Sequence, residues 1–148
     1  MRQIIKFLGV AFILLSGSRP FSAQSACVFE ADRTISGEFD HSEYVVLATP
    51  IATAHMPTSA DRYFLDGDDT TIRIMKVFKG PPAQSLNVFS ENSSGRFPLE
   101  LNEPYVLFLY QDHGRFQVDN CGHSGLAEKS RSVLRDVRAL SVRSAAHR

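Results

Sequence analysis

Long apolar runs are scarce in this 148-residue chain, and its longest lies close to the N-terminus. Arg2 and Lys6 form a short basic region, the nine residues 7–15 form an apolar run, and small residues follow. That run is too short for a membrane-spanning helix, which needs roughly 20 residues, whereas this order is typical of a secretory signal peptide. We predict a signal peptide over residues 1–26, cleaved between 23 and 26, and export to the periplasm or the medium, with no membrane span afterwards. An uncleaved anchor is the alternative.

Cysteine is also scarce. Cys27 lies at the front of the expected mature chain, and Cys121 follows 94 residues later. Cysteines in exported proteins usually form disulfides. A bond closing a loop of that length would restrict the unfolded chain by about 4–5 kcal/mol in the chain-entropy description. We predict that the two cysteines pair, with two separate thiols as the alternative.

Basic residues are few in the body of the chain. Residues 27–125 carry 7 basic and 14 acidic side chains, a net charge of −7, whereas residues 126–148 carry 6 basic and 2 acidic side chains, a net charge of +4. A negative body repels phosphates, so we expect no nucleic-acid partner. The basic tail suits an acidic partner, an anionic surface or the body itself.

Motifs for catalysis and metal binding are lacking. Residues 121–125, CGHSG, do not have the glycine spacing of a nucleophile elbow, so Ser124 is interpreted as a cap of the following helix. Residues 66–71, DGDDTT, lack the spacing of a calcium loop and are interpreted as a solvated turn. We expect no metal, no cofactor and no enzymatic activity. The histidines show no metal-ligand spacing; they are His41, His55, His113, His123 and His147.

Five short segments with strand character fill the body. In the second of them Ile72 and Ile74 share one face, but Met75 falls on the other, which indicates a β-bulge or a strand buried on both faces. The fourth has six apolar or aromatic residues in succession and predicts a central strand covered on both faces. A tight turn is predicted at 112–114. The segments are 43–55, 70–78, 85–90, 104–111 and 115–120.

Helical periodicity replaces this pattern after residue 121. Glu128 near the start and arginines towards the end agree with the helix dipole. Short strands followed by one helix favour a small closed barrel or a sandwich. The apolar residues at helical spacing are Val133, Leu134, Val137 and Leu140.

Two stretches resemble the netrin-like (NTR) domains in their bacterial form. Residues 70–90, TTIRIMKVFKGPPAQSLNVFS, resemble that family's strand, Lys-Gly, loop and second strand. Residues 95–122, GRFPLELNEPYVLFLYQDHGRFQVDNCG, resemble the next block, which ends its last strand in a cysteine. The family includes the tissue inhibitors of metalloproteinases (TIMPs). The resemblance implies a mainly β fold, a small five-stranded OB-type Greek-key barrel over 27–125 with a C-terminal α-helix and tail over 126–148.

The resemblance also implies which cysteines pair. The family typically begins Cys-x-Cys, with the first cysteine bonded to the middle loop and the second to the cysteine that ends the last strand. Here Ser25-Ala26-Cys27 occupies that position, and the middle loop near Gly95 has no cysteine. Both halves of the first bridge are therefore absent, and the resemblance implies a bond between Cys27 and Cys121.

A binding role follows from the same resemblance. In the inhibitors, the residue at the first cysteine chelates the zinc of the target enzyme through its α-amino group and carbonyl. We therefore expect an exported, non-catalytic protein-binding module, in its most specific form a metalloprotease inhibitor. The alternative is a structural or stress-related envelope protein that binds through its basic C-terminal helix. The expected partner-binding residues lie near the N-terminus and in loops 91–96 and 121–124; they are Ser25, Ala26, Cys27, Gly95 and His123.

Overall fold

The structure is a computed structural model that describes residues 34–58 and 66–146. It is mainly β, with a barrel-like sheet and a C-terminal helix, as predicted. The signal peptide predicted over 1–26 lies outside the described residues. In chain order the elements are α1 (Ile35–His41), β1 (Tyr44–Met56), β2 (Gly67–Lys79), β3 (Ser85–Glu91), β4 (Tyr105–Asp112), β5 (Arg115–Val118), β6 (Gly125–Leu126) and α2 (Arg131–Ala146).

Five strands close into a ring. β1 pairs with β2, β2 with β3, β3 with β5, β5 with β4, and β4 again with β1. The β3–β5 pairing is parallel and the others are antiparallel. This is the strand order of a five-stranded Greek-key barrel of the OB type, so the predicted fold class is confirmed. The tight turn predicted at 112–114 joins β4 to β5.

β4 is the central strand of the fold. Residues 105–109 are all buried, and their side chains alternate between two apolar clusters. Tyr105, Leu107 and Leu109 pack in the barrel interior, while Val106 and Phe108 pack beneath the two helices. The prediction of a strand covered on both faces is confirmed, because the barrel fills one face and the helix layer covers the other.

The irregularity predicted in the second strand is a β-bulge. Lys76 lies opposite Leu47 and Ile74 lies opposite Ala48, so Met75 has no partner residue on β1. The extra residue shifts the side-chain alternation by one position, which is the shift visible in the sequence. A second irregularity leaves Ile51 without a partner residue on β2, directly after Pro50.

The predicted C-terminal helix is confirmed as α2. Leu134 and Val137 are buried, and Val133 and Leu140 pack beside them. Two expectations about its start are wrong. The first turn has no acidic residue, because Glu128 precedes the helix. Ser124 does not cap it, because the intervening residues form β6 and a turn.

Two further local features differ from the sequence interpretation. α1 was not predicted; its first turn is capped by the Thr34 hydroxyl, which accepts a hydrogen bond from the Gly37 N–H at 3.0 Å. Asp68 and Asp69 lie in β2 rather than in a turn, since that strand begins at Gly67. The pairing of β2 with both β1 and β3 keeps these polar residues in the sheet.

Tyr110 gives the barrel an alkaline sensitivity. Burial, with added repulsion from the Asp119, Asp112 and Glu91 carboxylates, raises the pKa of Tyr110 to about 12 from 10.0. The unfolded chain therefore ionises this phenol first. Its stabilising effect is complete below about pH 10 and is lost as the pH rises through about 12. Because the side chain is partly exposed, we expect a loss of only about 1–2 kcal/mol.

The matching measurement is urea unfolding of the protein and of its Tyr110→Phe variant at about pH 8 and about pH 11. The variant should lose less stability between the two pH values than the unchanged protein. Equal losses in both proteins would show that the Tyr110 phenol does not cause the sensitivity.

Candidate protein-binding edge

A carboxylate of α1 holds the segment that follows β5. Glu38 Oε2 accepts a hydrogen bond from the backbone N–H of His123 at 2.7 Å and lies 2.6 Å from His123 Nδ1. Both side chains are partly buried, with 18% of Glu38 and 30% of His123 exposed. The His123 ring also approaches the ring of Phe108, with 6.4 Å between centroids. One carboxylate oxygen thus fixes the backbone and the ring of His123.

The backbone around this contact is ordered by local hydrogen bonds. Asp119 Oδ1 accepts from the Cys121 N–H at 2.9 Å, and the Asp119 carbonyl accepts from the Gly122 N–H at 3.1 Å. A side chain at Gly122 would collide with the Glu38 carboxylate, so glycine allows this close approach. Segment 121–124 therefore has a defined conformation against α1.

Ser124 closes a gap in the barrel. β5 pairs with β4 from Leu109 to Asp112, and β6 pairs on that strand at Tyr105 and Val106. Between these two pairings, the Ser124 hydroxyl accepts a hydrogen bond from the Phe108 N–H at 2.9 Å. The hydroxyl therefore satisfies a donor that would otherwise be left in a buried strand.

The Lys-Gly pair that belongs to the family resemblance fastens α1 from its other end. Lys79 Nζ donates to the carbonyls of Phe39 at 2.8 Å and of Asp40 at 2.7 Å. The Ser42 N–H and hydroxyl both donate to the Glu38 carbonyl, at 3.0 and 2.7 Å. The last carbonyls of a helix need such partners, and a basic group also suits the helix dipole. Lys79 thereby helps to position Glu38.

The predicted binding residues fall into three groups. Ser25, Ala26 and Cys27 lie outside the described residues. His123 is held by Glu38, as described above. Gly95 is exposed in the loop after β3, where the neighbouring Arg96 forms a 3.0 Å salt bridge with Asp68.

Gly95 and His123 are placed against different elements. Asp68 pairs in register with His55 near the end of β1, whereas Phe108, which contacts His123, pairs with Val45 near its start. From Val45 to His55, β1 is about 30 Å long at the usual rise of a strand. Segment 121–124 and loop 91–96 are therefore two separate surfaces along the barrel.

Cys121 directly precedes the segment held by Glu38. It is not a free thiol in the structure. Its predicted partner, Cys27, lies outside the described residues, so the pairing of the two stays a prediction. Cys27 is seven positions before Thr34, the N-cap of the helix that contains Glu38.

A row of arginines forms a second charged surface. Arg131, Arg135 and Arg138 are all exposed on α2 and follow one another at i, i+4 and i+7, so they form one row along the helix. We call these three residues the arginine ridge. Val142 continues the same row and is 71% exposed. Asp136 pairs with Arg135 at 3.2 Å and reduces the charge of the ridge in part.

Comparisons with known proteins leave the family assignment as a proposal. No protein family model matches the chain, and no curated protein matches it either. Within residues 34–58 and 66–146, no three histidine, cysteine, aspartate or glutamate side chains lie close enough together to hold a metal ion. No helix in that part of the chain has the length and apolar character needed to cross a membrane.

The sequence interpretation missed Glu38 and Lys79. Thr34 followed by Ile35 and Phe39 at i, i+4 spacing could have indicated the capped start of α1. Nothing local indicates that Glu38 meets His123, which is 85 positions later. The Lys-Gly pair carries part of the family resemblance, but the contact of Lys79 with α1 spans 40 positions and has no signal in the sequence.

Proposed function

We propose that this chain is an exported, non-catalytic protein-binding module of the netrin-like, TIMP-like class, with a metalloprotease as the partner. Its contact surface is formed by Ser25, Ala26 and Cys27 together with segment 121–124. The observation that carries the proposal is the pair of hydrogen bonds from His123 to Glu38. These bonds fasten the front of the described chain to the segment that the resemblance assigns to the binding edge.

Three features support this arrangement. The barrel has the strand order expected for the family, and the Lys-Gly pair braces α1. Cys27 is close in sequence to Thr34, so a bond to Cys121 would join chain segments that already meet through Glu38. Such a bond would hold the mature N-terminus beside His123. In the inhibitors that the chain resembles, an α-amino group held in that way chelates the zinc ion of the protease.

A second candidate function is supported by the arginine ridge. An envelope protein could bind an acidic partner or an anionic surface through Arg131, Arg135 and Arg138, which all face solvent. Such binding should weaken as salt increases, because exposed charges are screened. Chelation of a buried zinc ion should depend much less on salt.

The test uses the exported protein after its first residue has been determined by intact mass. Inhibition of purified zinc metalloproteases is then measured for that protein and for a variant with one alanine added before the mature N-terminus. We expect the extension to weaken inhibition by about a hundredfold or more, because the α-amino group is moved away from the metal. The matched control carries the added alanine after Arg148.

The Arg131→Gln, Arg135→Gln, Arg138→Gln triple variant separates the two candidates. It should inhibit as well as the unchanged protein if the N-terminal edge binds the protease. Inhibition that survives the N-terminal extension but is lost in the triple variant would favour the arginine ridge. A mature protein that inhibits no member of a broad metalloprotease panel would refute the inhibitor proposal.

A further inference from the structure

Among the strands of residues 34–58 and 66–146, none pairs with the second half of β1 on the side away from β2. β4 pairs with β1 only from Tyr44 to Ala48, whereas β1 continues to Met56. Beyond that pairing, the Asn102 N–H donates to the Pro50 carbonyl at 2.9 Å. Residues 51–55 are all exposed, and Ile51 is exposed by 43%.

The hydrogen-bond pattern shows which backbone groups face outward. The Ile74 N–H donates to the Gln84 carbonyl, so the backbone of Ile74 faces the β3 side of β2. Alternation then directs Ile72, Thr70 and Asp68 to the same side. Their register partners on β1 therefore direct their own N–H and C=O groups away from β2. Two of these partners lie beyond Pro50, and they are Thr53 and His55.

This edge has little protection against pairing. Strand edges are usually blocked by lysine, proline or inward-pointing charge. Between Ile51 and Met56 the side chains are small or neutral, with only His55 able to carry a charge. Thr53 is paired across β1–β2 with Thr70, their hydroxyls 3.3 Å apart. A strand could therefore be added here without a steric or electrostatic obstacle from β1 itself.

Carboxylates lie near the edge, although Asp68, the partner of His55, is already paired with Arg96. Ala54 lies opposite Asp69, so a long basic side chain on an added strand could cross the small alanine and reach that carboxylate. Glu100 and Glu103 flank Asn102, which bonds to Pro50 at the start of the edge. Within residues 34–58 and 66–146, no salt bridge neutralises Asp69, Glu100 or Glu103.

We propose that the edge of β1 from Thr53 to His55 docks an extended, basic segment of another protein, which joins the sheet as an additional strand. Backbone hydrogen bonds supply the pairing, and lysine or arginine at alternate positions supplies the charge match. A second copy of this chain is disfavoured as the occupant, because it would bring a second set of carboxylates to the same interface. This surface is distinct from segment 121–124, so the inference does not depend on the proposed inhibitor function.

The probe is a terminally blocked octapeptide of alternating lysine and valine. Its matched control is the same peptide N-methylated at alternate residues, which keeps the side chains and charge but removes the pairing donors. We expect N-methylation to weaken binding at least about tenfold, since several hydrogen bonds are lost. A peptide in which glutamate replaces lysine should show no measurable binding. Equal binding of the methylated and unmethylated peptides would overturn the proposal, because charge alone would explain it.

Two variants of the protein test the same strand pairing. Thr53→Pro removes an outward N–H while leaving the bonds between β1 and β2, and Thr53→Ala removes only the hydroxyl and methyl groups. Circular dichroism should show both variants folded, with peptide binding lost about tenfold or more in the proline variant alone. If the proline variant does not fold, amide shifts of Thr53 and His55 in the unchanged protein decide the question. Peptide-induced shifts that leave both amides unaffected, or a dimer that pairs through this edge, would refute the proposal.

Discussion

Replacing both cysteines, Cys27→Ser with Cys121→Ser, is expected to lower the free energy of unfolding by about 4 kcal/mol. The predicted bond closes a loop between positions 94 residues apart, so its removal gives the unfolded chain a large additional entropy. The segment after Cys121 is already held against α1 by Glu38. A bond at this point would therefore restrict the unfolded chain while requiring little rearrangement of the folded one.

Urea unfolding of the oxidised protein, the reduced and alkylated protein and the double-serine variant measures this effect. The last two should agree with each other and differ from the first. A loss of that size is a large fraction of the total stability of a small domain, which is about 5–15 kcal/mol. A difference below about 1 kcal/mol, or two thiols that react with alkylating agent before reduction, would contradict the Cys27–Cys121 pairing.

The same comparison relates stability to the proposed binding edge. If the bond also positions the mature N-terminus, the double-serine variant should lose protease inhibition even at temperatures where it stays folded. Glu38→Gln should weaken the Glu38–His123 contact while leaving the predicted Cys27–Cys121 disulfide intact. If inhibition falls in both variants, the binding edge depends on both the disulfide and the contact with α1.

The features that could be predicted from the sequence are those specified by neighbouring residues. Consecutive residues of a strand face opposite sides of the sheet, so the continuous apolar run of β4 predicts burial on both faces. The Met75 bulge is visible because an extra residue shifts the alternation within one strand. α2 is predictable because Val133, Val137 and Leu140 recur at a helical period along the segment from 133 to 140.

The features that could not be predicted depend on contacts between distant residues. α1 has only seven residues, one of them Gly37, so its own helix propensity is weak. β6 has two residues and exists because β4 offers backbone partners at Tyr105 and Val106. The separation of Gly95 from His123 depends on the length of β1, which the family resemblance does not specify.

A large single-residue effect is expected at Gly80. Its φ of +105° lies in a region that other residues rarely adopt. A Cβ built there would lie 2.5 Å from an atom of the Tyr44 ring. Tyr44 is buried and packs edge-to-face against Phe116 at 5.4 Å, so it has little room to move. We expect Gly80→Ala to lower the free energy of unfolding by about 2–4 kcal/mol.

Two other glycines separate the causes of that loss. Gly114 also has a positive φ, +78°, but its Cβ would meet nothing within 4 Å, so Gly114→Ala should cost only about 1 kcal/mol of backbone strain. Gly95 has neither constraint, with Ser93 Oγ at 3.9 Å as the nearest atom, and its alanine variant should stay within about 0.5 kcal/mol of the unchanged protein.

In thermal and urea unfolding, the loss of stability should therefore be much larger for Gly80→Ala than for Gly114→Ala, and larger for Gly114→Ala than for Gly95→Ala. A shift of the backbone at Gly80 would also move the adjacent Lys79 away from the Phe39 and Asp40 carbonyls, which it now contacts at 2.8 and 2.7 Å. The Gly80 variant should then also disturb α1 and the Glu38–His123 contact, which amide shifts of His123 would report. Equal losses at Gly80 and Gly114 would mean that the Tyr44 contact contributes nothing, and would leave backbone strain as the sole reason for glycine after Lys79.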